Sequence, residues 1–148
     1  MKNQASSFND IEAIKTLKSR YFRAMDTKDW AALGACFTED LHADFRQAPG
    51  MLSQGRDEYM LALTTALKDA TTVHHGQLPE IELLDESNAT GLWAMDDIVD
   101  MPGIALRGWG HYHETYRKEA GRWRISTIRL TRLRLIINGE TQTLHEAT

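Results

Sequence analysis

The chain has a single cysteine, Cys36, in 148 residues, so no internal disulfide can form. This fits a reducing cytoplasm. Cys36 sits among Leu33, Ala35 and Phe37 and reads as a small buried hydrophobe. No apolar run approaches the roughly 20 residues that span a bilayer, and the opening MKNQASSFND has no apolar stretch of the signal-peptide kind. A cytoplasmic protein that does not engage membranes is expected. Charge of one sign is also lacking: 17 Lys+Arg stand against 21 Asp+Glu, a net charge of −4, which gives no pull toward nucleic acid. Basic residues do gather late, at Arg122, Arg124, Arg129, Arg132 and Arg134. Strict strand alternation separates Arg129 from the other four, and a solvated sheet face or subunit contact accounts for most of them. There is no repeat, no second domain and no Gly-rich phosphate loop, which argues against nucleotide-dependent chemistry.

What is present is ordinary globular composition, 42% hydrophobic and 26% charged, enough for one domain with one core. Residues 1–8 read as a loose tail, residues 9–137 as the domain and residues 138–148 as a polar C-terminal tail. Asn9 and Glu12 form a capping-box pattern, followed by an apolar stripe of Ile11, Ile14, Leu17, Tyr21 and Met25 at helical spacing. A second short helix carries Trp30, Leu33 and Phe37, with Thr27 or Asp26 as its cap. A short strand is expected over Leu41 to Phe45, and a third helix from near Gly55. From Thr71 the pattern turns to strands, at about 71–84, 89–100, 105–118 and 122–137, separated by Asp/Asn/Gly-rich turns. Helices first and consecutive strands afterwards predict an α+β fold, with a strongly curved antiparallel sheet wrapped around N-terminal helices as a cone. Such a cone encloses a cavity suited to a small ligand.

Several polar residues stand where core is expected. Tyr21 is on the apolar stripe of the first helix and Asp26 follows it. His74 and His75 are neighbours on a strand and face opposite sides, so one of the two enters the cavity, and parity alone does not choose. Asp97 shares a strand face with Trp93 and Met95, while Asp96 takes the other face. A phenol, an imidazole and a carboxylate converging in an apolar cavity can move protons on a small organic molecule. Each has a plainer reading: Tyr21 as core, Asp26 as a helix cap, Asp97 as a strand-end residue reaching solvent. His111 and His113 share a face and could begin a metal site, but an outer face at a subunit contact explains them, and no metal is expected.

Read in order, Arg20-Tyr21-Phe22 with Asp26, Asp29-Trp30-Ala31-Ala32-Leu33, Phe37-Thr38-Glu39-Asp40, Gly55-Arg56-Asp57, His74-His75-Gly76, Gly108-Trp109-Gly110-His111-Tyr112-His113 and Gly121-Arg122-Trp123-Arg124-Ile125 resemble the SnoaL-like branch of the NTF2-like superfamily over nearly the whole chain. Within it the pattern is most similar to scytalone dehydratase and bile-acid 7α-dehydratase. The resemblance implies catalytic roles for Tyr21, Asp26, His74 and Asp97, and selects His74 over His75. It puts Phe45 where those dehydratases carry a second tyrosine. Phe45, Trp93, Met95 and His75 are expected to contact substrate.

The expected function is a cofactor-independent acid–base reaction, dehydration or isomerisation, on a small apolar substrate of polyketide or steroid type. His74 would act as base, Asp26 or Asp97 would orient it, and Tyr21 would donate a hydrogen bond. The alternative is a non-catalytic ligand-binding or dimerisation module. A small molecule is the expected partner, and the family resemblance implies a homo-oligomer, a dimer or a trimer.

Overall fold

The computed structural model describes residues 3–144. Helix α1 spans Gln4–Thr27 and is capped by Asn3, whose side chain accepts from the Ser6 amide at 2.7 Å. The helix therefore starts ahead of the expected Asn9 cap, and the described part of the supposed tail is helical from Gln4 on. Periodicity misses this portion because it overhangs the core: Phe8 is 62% exposed. Burial begins at Asp10, which accepts from Trp123 Nε1 at 2.9 Å and Lys118 Nζ at 3.2 Å. Ile14, Leu17, Lys18, Tyr21, Ala24 and Met25 then turn inward. The helix stops at Lys28, a left-handed residue (φ 59°) whose amide returns to the carbonyls of Ala24 and Met25. Asp26 thus lies inside α1. Helix α2, Trp30–Gly34, is capped by Asp29, which accepts from the Ala32 amide at 3.1 Å, rather than by Thr27 or Asp26.

Strand β1 runs Phe37–Asp44, so Thr38-Glu39-Asp40 belongs to the strand and Phe45 falls just beyond it. A short β2, Leu52–Gln54, pairs with it, and Gly55 (φ 96°) leads into α3, Arg56–Leu67. Strands β3 (Thr71–Leu83), β4 (Asn88–Met101), β5 (Ile104–Glu119) and β6 (Arg122–Ile137) form the antiparallel meander that the turn chemistry predicts. The sheet order is β2-β1-β6-β5-β4-β3. The sheet as a whole is mixed, because β1 pairs parallel with β6. After Ile137 the chain does not leave: Asn138 and Gly139 take positive φ, and β7, Glu140–Thr141, folds back on Ile136 and Ile137. Residues 145–148 of the expected tail lie outside the described residues.

Two irregularities in the β5–β6 ladder decide which side chains face the helices. Tyr116 pairs with Ile125 but Thr115 with Thr127, and Gly110 pairs with Arg132 but Trp109 with Arg134. Ser126 and Leu133 are the extra residues, and each bulge reverses the inward parity. Trp123 and Ile125 face inward, then Ile128, Leu130 and Arg132, then Leu135. Arg132 is therefore buried, while Arg122, Arg129 and Arg134 are exposed. Strict alternation assigns Arg132 to the outer face, and the bulge at Ser126 overturns that.

Candidate active site

A cavity of about 340 Å³ opens between α1, α3, the sheet and the Phe45–Met51 loop. Its wall is mostly hydrocarbon, with Met25, Leu63, Leu67, Val99 and Leu130 among the contributors, and Met51 and Ile104, half-exposed, stand at its edge. Six residues with polar side chains are among those that line it: Tyr21, Tyr59, His74, Asp97, Tyr112 and Arg132.

His74 faces the cavity from β3 and is 8% exposed. Asp26 does not line the cavity but stands behind His74, accepting from its ring Nδ1 at 2.7 Å and its backbone amide at 2.8 Å. Thr72 Oγ1 donates a third bond to the same carboxylate at 2.9 Å. A carboxylate at Nδ1 fixes the tautomer with the proton there, and leaves Nε2 as the basic nitrogen. Burial pushes the Asp26 carboxyl up, but the bonds from His74 and Thr72 outweigh it, and the group settles below its ordinary value. It stays ionised behind the ring at neutral pH.

Tyr21 enters from α1 and is fully buried. Its ring meets Phe37 and Tyr112 edge-on, both at 6.0 Å between centroids. Burial, followed by interactions with Tyr112, Tyr59 and Glu114, raises its phenol well above the ordinary 10.0. Tyr59 and Tyr112 are raised for the same leading reason. All three are therefore protonated donors at neutral pH. The three hydroxyls interact, Tyr21 with both Tyr59 and Tyr112, although those of Tyr21 and Tyr59 have no partner of full hydrogen-bond geometry among the described residues. A buried hydroxyl without a partner costs about 1–3 kcal/mol.

Asp97 also reaches the cavity, opposite His74 across the β3–β4 ladder, but it is not a free carboxylate. Arg132 grips it through two bonds of 2.6 and 3.0 Å. The same guanidinium donates to the Ala48 carbonyl at 3.0 Å, and the Arg132 backbone amide donates to Gln47 Oε1 at 2.9 Å. The pair thus ties β4 to the loop over the cavity. Gly108 makes room for it, since a Cβ there would run into Arg132 Nη1 and Asp97 Oδ1.

The expected contact residues divide. Phe45 lines the cavity and stacks on Tyr59 at 5.5 Å. Trp93 and Met95 do share the inward face with Asp97, but they lie farther along β4, beyond the cavity. Trp93 donates to the Tyr116 hydroxyl at 2.9 Å in the closed core, and Met95 packs its sulfur 3.7 Å from Arg132 Nη1. Alternation selects the face and says nothing about depth. His75 points away, its side chain 63% exposed and 3.3 Å from Asp96. His113 bonds Thr131 on the outer face at 2.9 Å, and no group of three or more metal-ligating side chains occurs among the described residues. Among the described residues no helix is long and apolar enough to cross a membrane.

Sequence reasoning passes over Tyr59, Tyr112 and Arg132. Tyr59 does stand on the apolar side of the third helix, and Tyr112 lies inside the Gly108-Trp109-Gly110-His111-Tyr112-His113 run, but spacing alone gives neither a role. It also passes over a buried pair behind the tyrosines, Lys18 and Glu114, both wholly enclosed.

Residues 6–129 match the profile of the SnoaL-like domain. Solved structures of similar fold include a candidate scytalone dehydratase from Novosphingobium aromaticivorans, 22% identical with a TM-score of 0.80 over 90% of this chain and 91% of that one. A protein of unknown function from Mycobacterium tuberculosis is 26% identical, with a TM-score of 0.77 over 90% of this chain and 78% of that one. A hexachlorocyclohexane dehydrochlorinase from Novosphingobium barchaimii is 13% identical, with a TM-score of 0.78 over 97% and 100%.

Proposed function

Because the chain belongs to the SnoaL-like family, whose structural relatives include a candidate dehydratase and a dehydrochlorinase, we propose that it is an acid–base enzyme of the elimination or isomerisation type. Its substrate is small, uncharged and mainly hydrocarbon, with an oxygen able to accept hydrogen bonds. The observation that carries this reading is the Asp26–His74 pair at the wall of an apolar cavity that is also lined by three protonated tyrosines, Tyr21, Tyr59 and Tyr112.

In this reading Nε2 of His74 removes a proton from the carbon beside a carbonyl. The C–H electron pair moves toward the carbonyl, and negative charge develops on its oxygen. Tyr21, with Tyr59 and Tyr112 beside it, donates to that oxygen, and such donors act most strongly on charge present only in the transition state. Asp26 keeps the ring aligned and offsets the charge on the imidazolium. If a hydroxyl stands on the neighbouring carbon, the enolate electrons form the double bond, the C–O bond breaks, and the imidazolium proton leaves with the hydroxyl as water. If none is present, the same proton returns to a different carbon and the product is an isomer. The Asp97–Arg132 pair presents no net charge to the cavity, which supports a neutral substrate.

Hydrogen exchange tests the first step on any enolisable ketone that fits the cavity, whatever the natural substrate. A bicyclic ketone such as 2-tetralone is incubated with the protein in deuterium oxide, and loss of the proton signals beside the carbonyl is followed by NMR. Exchange above the buffer rate is expected, with His74→Ala slower by about 10²–10⁴-fold. Equal rates for the wild type and His74→Ala, both above buffer, would remove His74 as the base.

A passive carrier is the second reading. It is favoured by the closure of Asp97 on Arg132, which leaves one carboxylate fewer for proton transfer. Tight binding of the ketone with exchange no faster than buffer would establish that reading instead.

A further inference from the structure

Lys18 is a buried amine that the proposed chemistry does not use; burial draws its pKa below the ordinary 10.5, and the Glu114 carboxylate bonded to it works the other way and favours the ammonium. Its side chain is wholly enclosed and paired with Glu114, which is enclosed as well. Neither residue lines the cavity. The ammonium instead lies on the faces of three rings, 3.8 Å from the centroid of Tyr21, 3.7 Å from Tyr112 and 4.7 Å from Phe22. Two of those rings, Tyr21 and Tyr112, line the cavity, so they form the partition between the ammonium and the site. Glu114 is held in turn by the Tyr116 hydroxyl, which accepts from Trp93 Nε1 at 2.9 Å.

A pair buried so deeply is poorly explained by stability alone, since hydrophobic replacements of similar volume are often as stable or more so. Its position against the phenols offers another reason. A cation on the face of an aromatic ring is attracted by the π electrons. In return it draws electron density from the ring, which makes a phenol O–H a stronger hydrogen-bond donor. It also fixes the ring: Tyr21 and Tyr112 cannot tilt without leaving a desolvated charge. The Glu114 charge acts in the opposite sense on Tyr21, but its oxygen is bonded to the ammonium, and it is the ammonium that touches the ring faces.

We propose that Lys18 is a positioning residue for the site, its caged ammonium holding the rings of Tyr21 and Tyr112 and strengthening their hydroxyls as donors to the substrate oxygen. This rests on the reading of those phenols given under Proposed function, and it identifies what supports them from behind.

The test uses the carbonyl band of bound 1-tetralone, an uncharged bicyclic ketone, measured by infrared difference spectroscopy, together with its dissociation constant. Stronger donors move the band to lower wavenumber, a signature that loss of packing alone does not mimic. The paired variant Lys18→Met/Glu114→Gln removes both charges and keeps the shapes. It is expected to move the bound band back to higher wavenumber and to weaken binding roughly two- to fivefold. Should that variant fail to fold, Glu114→Gln alone serves: the amine then lacks its counter-charge, burial favours the neutral form, and the band should move the same way. Tyr21→Phe is the control. If Tyr21→Phe shifts the band and the folded charge variants leave both band and affinity at wild-type values, the role of Lys18 is overturned. If Tyr21→Phe shifts nothing, it is the phenol-donor reading itself that fails.

Discussion

Asp26 holds His74 twice, through the ring nitrogen at 2.7 Å and through the backbone amide at 2.8 Å. One carboxylate in the last turn of α1 thereby fixes both the rotation of an imidazole on β3 and the place of that strand against the helix. A change at Asp26 should register in catalysis and in folding, and pH separates the two.

Asp26→Asn replaces an acceptor-only group with an amide that can present its NH₂ to Nδ1 and so select the wrong tautomer. Exchange of the ketone protons should fall by about 10²–10⁴-fold. The stability effect has a definite sign. The Asp26 carboxyl sits below its ordinary 3.8 in the folded protein, so its contribution is complete above that value and is lost as pH falls through the lower folded value. Urea unfolding should therefore show a stability gap between wild type and Asp26→Asn at pH 7 that narrows toward pH 3. A gap that widens on acidification would contradict the depressed carboxyl.

Tyr21→Phe removes a buried hydroxyl that has no partner of full hydrogen-bond geometry, only the Tyr59 and Tyr112 hydroxyls near it. A satisfied hydroxyl would be missed, whereas an unsatisfied one is a cost already carried, so deletion should leave the melting temperature unchanged or raised. Ketone exchange should drop, because a donor to the developing oxyanion is gone. Tyr59→Phe should behave alike in stability. A fall in melting temperature of several degrees for either variant would mean that its hydroxyl is bonded in solution.

These two residues mark how far the sequence is legible. Tyr21 could be placed because helix period is a local property, strand alternation turned one of His74 and His75 inward and the family resemblance chose His74, and the meander from Thr71 onward follows from turn residues between alternating runs. Asp26 could be named as a partner of His74 only through the family resemblance, since helix capping explained it equally well. Arg132 was beyond reach for a physical reason: the residue inserted at Ser126 reverses the strand's faces, and bulges are set by the ladder with β5 rather than by local sequence. Lys18 lies four residues past Ile14 and three before Tyr21, at helical spacing with the apolar stripe, so its burial could have been read from spacing although the sequence reading passes over it. Its partner Glu114, 96 residues away, could not be. The parallel pairing of β1 with β6 is likewise a long-range choice.

Cys36 should be inert in the folded protein. Burial pushes its thiol up to about 11, and the thiolate is the reactive form. At pH 8 only about one molecule in a thousand carries it, and the residue is 1% exposed. Titration with an aromatic disulfide reagent should give no release over an hour in buffer and one equivalent in guanidinium chloride. One equivalent within minutes in buffer would place the thiol at the surface.

The Asp97–Arg132 pair gives the sharpest contrast between breaking an interaction and deleting it. Asp97→Asn leaves the Arg132 charge buried without a counter-charge, facing neutral acceptors: the new amide oxygen, the Ala48 carbonyl and the Met95 sulfur, and removing the charge of one member of a buried pair costs about 3–5 kcal/mol. Asp97→Leu/Arg132→Met deletes both charges with similar volume, and its loss should be much smaller than that of the single variant. Gly108→Ala probes the same seat from the backbone side, because the added methyl would occupy the space of Nη1 and Oδ1. Both partners are anchored, by the loop carbonyl and by β4, so neither can retreat freely, and a loss of about 1–3 kcal/mol is expected. Urea denaturation of the four proteins decides the matter. A double variant as unstable as Asp97→Asn would mean that the guanidinium is needed for the loop over the cavity rather than for Asp97, and a Gly108→Ala curve overlying the wild type would mean that the pair does not sit against β5.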